Sequence, residues 1–134
     1  MKILLFLALI TTTFLSCKKN TDPLPLNGTY SGQFIHGTKG YTTNKVVEVN
    51  FNRSNYVATK GSGTFLVQQN NIINFSDKNM WAANFDWNTI LNGEYSYEIK
   101  SDSLILTKLF WYSGRAELAY GIAVVSQYRL KLNP

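Results

Sequence analysis

Downstream of residue 26, apolar and polar residues alternate in short runs along most of the chain. Tyr30, Gly32 and Phe34 share one parity. Val47, Val49 and Phe51 alternate with Glu48, Asn50 and Asn52, and Phe65 and Val67 alternate with Thr64, Leu66 and Gln68. Ile73 and Phe75 form a further pair; Tyr95, Tyr97 and Ile99 alternate with Ser96, Glu98 and Lys100. Leu104 and Leu106 follow, and the cleanest pattern closes the chain, with Ile122, Val124, Ser126, Tyr128, Leu130 and Leu132 on one parity. A repeat of two is the signature of half-buried strands. Turn residues separate the runs: Arg53, Ser54 and Asn55; Asn70 and Asn71; Ser101 and Asp102. Residues 36–44 read as a polar turn region containing His36. The Gly61-Ser62-Gly63 step reads as a break or bend. Many short strands in hairpin order predict an all-β domain, an antiparallel up-and-down barrel of about eight strands.

Two segments depart from that rhythm. Residues 76–92 are the one long connection inside the strand repeat, and residues 85–91 within it suit a short helix. Residues 109–112 extend a strand with large aromatics, and Ser113, Gly114 and Arg115 suit a hairpin tip.

Ahead of the strands, Met1 and Lys2 are followed by an unbroken apolar run from Ile3 to Ile10. That run falls short of the roughly 20 residues needed to span a bilayer. A basic start, an apolar centre and a small residue before a cut predict a secretory signal over 1–16. Cys17, the sole cysteine, stands where the signal ends. The Phe14-Leu15-Ser16-Cys17 step resembles a bacterial lipobox, whose cysteine carries acyl chains, palmitate among the acids used. Each buried CH₂ contributes about 0.8 kcal/mol to membrane binding. Residues 17–25 then read as a lipidated cysteine and an extended tether, and 26–134 as the barrel. With Cys17 so used, the folded part has no disulfide and no thiol chemistry.

Composition fits this picture and narrows function. Hydrophobic residues make up 45% of the chain and aromatics 14%, enough for a real core. The net charge of +5 is spread among separate strands and turns rather than gathered in a run. A nucleic-acid binder concentrates such charge on one face, so nucleic acid is not an expected partner. His36 is the only histidine. A zinc site needs three or four ligands, normally several His or Cys, so no metal and no cofactor are expected. No serine sits in a nucleophile elbow, and Glu94 and Glu98 fall on the polar parity of their strand. The chain is therefore read as a non-enzyme. Asp86, between Phe85 and Trp87, is the best single carboxylate; its plain role is to cap the loop.

Gly28-Thr29-Tyr30-Ser31-Gly32, Gly61-Ser62-Gly63-Thr64-Phe65 and the block from Trp81 to Tyr95 together resemble small lipocalin-like lipoproteins of the Bacteroidota cell envelope. The likeness covers most of residues 17–132. It implies a lipocalin-like barrel held in the envelope, at the outer membrane, through Cys17. Where lipocalins have Gly-x-Trp this chain has Tyr30, and Arg129 falls on the outward parity of the last strand.

Two functions then stand open. Trp81, Trp87, Tyr95, Tyr97 and Tyr56 could line a site for a small hydrophobic or amphipathic ligand, with 76–92 as its lid. Alternatively those aromatics fill the barrel, and Phe110, Trp111 and Tyr112 form a contact patch for another envelope protein.

Overall fold

The computed structural model describes residues 26–38, 40–109 and 124–134. Eight strands run in chain order: β1 (Gly28–Thr38), β2 (Tyr41–Asn52), β3 (Asn55–Ala58), β4 (Ser62–Gln68), β5 (Ile72–Asp77), β6 (Gly93–Lys100), β7 (Ser103–Lys108) and β8 (Val124–Leu132). Each pairs antiparallel with the next, and β8 pairs back onto β1, so the sheet is a closed up-and-down barrel. Closure leaves no unpaired strand edge. The expected fold class is the observed one.

The period-two pattern decides which side chains go inside. Phe34, Val49, Phe51, Tyr56, Ile73, Phe75, Tyr95, Leu104, Leu106 and Tyr128 are all essentially buried. Phe75 sits at the centre of an aromatic network, with its ring 5.2 Å from Tyr56, 5.5 Å from Tyr95, 6.0 Å from Phe65 and 6.3 Å from Phe51. The contacts to Tyr56 and Tyr95 are edge-on, the arrangement that ring quadrupoles favour. Each such side chain contributes roughly 1.5–3 kcal/mol through removal from water. The inside of the barrel is thus a packed core.

Two glycines let the sheet curl tightly. A methyl group at Gly32 of β1 would overlap the Arg129 carbonyl oxygen of β8, and one at Gly63 of β4 would overlap the Ser76 carbonyl of β5. Only a residue without a side chain permits those strand crossings.

Three sequence expectations are corrected. The stretch 36–44 is not a turn region: β1 continues to Thr38 and β2 begins at Tyr41, so His36 lies within a strand. The 61–63 step does not break the chain, because β4 starts at Ser62 and Gly63 is a strand residue on the buried face. The strand through 104–106 ends at Lys108, while Phe110, Trp111 and Tyr112 lie outside the described residues, as do Cys17 and the signal.

The strand directions give the barrel two unlike ends. One carries the tight β2–β3, β4–β5 and β6–β7 links and receives the chain at Leu26, which is buried. The other, the mouth, carries the β1–β2 and β3–β4 links, the long connection 78–92, the end of β7 and the start of β8.

Candidate functional site

Residues 78–92 cross the mouth as a strap. Its only regular structure is a 3₁₀ turn, Trp87–Thr89. Asp86 caps this turn by accepting from the Asn88 backbone N–H at 3.3 Å, and Thr89 Oγ1 donates to the Asp86 carbonyl at 2.8 Å. The turn starts the descent into the barrel, because Thr89, Ile90 and Leu91 are all buried.

What holds these three residues comes from inside. Tyr128 Oη donates to the Thr89 carbonyl at 3.0 Å, Tyr95 Oη to the Ile90 carbonyl at 3.4 Å and Tyr56 Oη to the Leu91 carbonyl at 2.6 Å. Three tyrosines on β8, β6 and β3 thus satisfy three consecutive carbonyls that irregular backbone would otherwise bury unpaired. Burial drives all three phenols well above the ordinary tyrosine range, with Asp77 adding to the effect at Tyr56. They stay neutral donors at any physiological pH.

Two outer ties complete the strap. At its far side Lys45 Nζ meets Asp86 Oδ2 at 2.6 Å; that hydrogen bond is the main reason the Asp86 carboxyl titrates below its usual range. At its start, Asp77 is a hub. It accepts from Trp81 Nε1 at 2.6 Å, from Asn79 Nδ2 at 2.8 Å and from the Ser62 backbone N–H at 3.2 Å. Trp81 then stacks on Phe85 with centroids 4.3 Å apart, and Lys60 stands 5.9 Å from the Phe85 ring.

The five aromatics expected to line a ligand site do not share one surface. Tyr56 and Tyr95 lie inside, their hydroxyls bonded to the strap. Trp81 is half-buried on the outer flank, pinned to Asp77. Trp87 is 53% exposed on the strap itself. Tyr97 packs against the core further along β6, toward the turn end. Two shallow depressions lie on the outer wall, one beside Thr64, Leu66 and Asn74, the other beside Asn71, Ser96 and Gln127. Among the described residues no group of three His, Cys, Asp or Glu side chains could hold a metal ion, and no helix is long and apolar enough to cross a membrane.

Sequence reasoning missed Tyr128, Asp77 and Lys45 as parts of this assembly. Tyr128 carried a usable signal: it shares the inward parity of its strand just as Tyr56 and Tyr95 share theirs. The Lys45–Asp86 pair carried none, since 41 residues separate the partners. Asp86 takes the capping role weighed for it.

No protein-family model, curated protein or solved structure matches this chain.

Proposed function

We propose that this chain is a lipid-anchored lipoprotein of the cell envelope, attached at the outer membrane through Cys17. In this reading its barrel is a solid, non-enzymatic support that presents its mouth to another envelope protein. The observation that carries the reading is the set of three tyrosine hydroxyls bonded to consecutive strap carbonyls, over an interior already filled by aromatic rings. A protein whose inside is occupied works through its outside. The chain joins β1 at the end opposite the mouth, so a tether over 17–25 would turn the mouth away from the bilayer. Met80 is fully exposed there and Trp87 more than half so. They add to Phe110, Trp111 and Tyr112 as contact residues. The likeness to lipocalin-like envelope lipoproteins supports the address.

Crosslinking in intact envelopes tests it. A defined crosslinked species should form with the wild type and fall away in Trp87→Ala and Trp111→Ala; unchanged crosslinking in both overturns the docking role. For the anchor, a palmitate analogue should label the wild type and not Cys17→Ser. Labelling of the variant removes Cys17 as the attachment point.

A small hydrophobic ligand is the second reading. The strap favours it in one respect: displacing 89–91 would free three hydroxyls and expose an aromatic floor. Saturable quenching of tryptophan fluorescence by an apolar probe, together with faster proteolysis of 78–92, would move the assignment to this reading.

A further inference from the structure

Inside the mouth, beside the strap, lies a row of polar side chains that neither reading above uses. His36 of β1 and Ser126 of β8 are directly opposed across the seam. The β7–β8 register, Leu106 opposite Tyr128 and Thr107 opposite Gln127, places Lys108 next in line with Ser126. All three belong to the inward parity. His36 stacks on Phe34 with ring centroids 6.0 Å apart, Ser126 is only 2% exposed, and Lys108 Nζ stands 5.8 Å from the Tyr95 ring centroid. An amine, a hydroxyl and an imidazole therefore follow one another on three adjacent strands.

Their hydrogen-bonding capacity is unspent. Ser126 Oγ and His36 Nδ1 are both buried and without a partner, an expensive state that native proteins rarely leave unfilled. The two do not bond to each other although their backbones are paired. Lys108 has no carboxylate within ion-pair distance among the described residues. Its ammonium is held below the ordinary lysine range by burial alone. Lys45, the nearby cation on β2, is already neutralised by Asp86. His36 and Lys108 are each only partly buried, so the row borders solvent, and a small ligand reaches the buried Ser126 Oγ and His36 Nδ1 once one of these flanking side chains turns aside.

We propose that this row binds a carboxylate group of small size. Lys108 supplies the charge, Ser126 O–H and His36 N–H supply hydrogen bonds, and the rings of Phe34 and Tyr95 exclude water from one side. One ammonium without a carboxylate partner among the described residues matches one negative charge, and charge-assisted hydrogen bonds to a carboxylate are about twice as strong as neutral ones. The site is independent of the docking role, since none of its three side chains is offered there as a contact.

The lone histidine makes the test direct. The imidazole resonance of His36 is followed by NMR in the full chain held in detergent micelles. Sodium acetate is titrated at constant ionic strength against sodium chloride, and N-acetyl-trialanine with a free C-terminal carboxylate is the second probe. Acetate should shift the resonance saturably, with a midpoint on the order of millimolar, and chloride should not. Tighter binding of the peptide would assign the carboxylate to a chain end; a response to acetate alone would assign it to a free acid. Lys108→Gln should weaken the midpoint at least about tenfold. Lys78→Gln should leave it unchanged. Ser126→Ala should weaken binding as well; a hydroxyl that is merely stranded would instead leave binding intact and raise stability. A non-saturating response, an equal response to chloride, or an unchanged midpoint in Lys108→Gln overturns the site.

Discussion

At the turn end of the barrel, Arg53, Asn70, Asn71 and Ser101 all adopt positive φ between 56° and 61° in short links. At the mouth, hydroxyls from β3, β6 and β8 hold a single strap. The first closure is local. Its instructions sit within a few residues of each other, because a link that short needs left-handed backbone and Asn tolerates it. The second is distributed. Tyr56 lies 35 residues before the carbonyl it holds, and Tyr128 lies 39 residues after its own. Local closure survives the loss of distant contacts, whereas the distributed one depends on the whole barrel being in register. The contrast assigns stiffness to one end and conditional order to the other.

The strongest way to break the contrast is to remove what both ends share. Phe75→Ala leaves a hole between Phe51, Tyr56, Phe65 and Tyr95 and should cost about 3–5 kcal/mol, seen as an early midpoint in urea unfolding. Both closures then fail together. Tyr128→Phe acts on the mouth alone. It strands the buried Thr89 carbonyl and should cost about 1–3 kcal/mol, with protease cutting within 78–92 rising while the turn-end links stay resistant. Asn70→Ala acts on the other end. Placing a Cβ-bearing residue without a short polar side chain at φ 61° should cost about 1 kcal/mol, with no change in strap proteolysis.

The smallest effect is electrostatic. Lys45 and Asp86 are each about half exposed, so their bond contributes roughly 0.2–1 kcal/mol. The folded protein holds the Asp86 carboxyl below its unfolded value. The contribution is therefore complete above the ordinary aspartate range and is lost as pH falls through the folded value. Asp86→Asn should flatten that part of the stability-versus-pH curve, leaving neutral-pH stability within about 1 kcal/mol of wild type.

The same contrast explains what the residues disclosed on their own. Alternation places inside and outside correctly along most of the described strands, failing at Val124 and Leu132, which share the inward parity of β8 yet are exposed at its two ends, and the links at Arg53, Asn70 and Ser101 were readable from turn chemistry. The barrel followed from these. Around His36 the reading failed, because glycine and threonine density resembles a turn while the β8 ladder keeps β1 extended through Thr38. At the candidate site, aromatic content was legible but its purpose was not. Tyrosines facing inward look alike whether they meet a ligand or a backbone carbonyl. Only the path of 86–92 separates the two, and no periodicity encodes the path of an irregular segment. The row of Lys108, Ser126 and His36 was out of reach for a further reason: its members become neighbours only when the first and last strands meet.

That seam also bears on the order in which the molecule can form. Asn133 Nδ2 donates to Ser31 Oγ across 102 residues of chain, and every rung between β1 and β8 is nearly as remote in sequence. Such long-range rungs form late and slowly. A ribosome making this polypeptide cannot supply β1 with its second neighbour until β8 has emerged. The cylinder therefore stays open along that one seam until β8 exists to fill it.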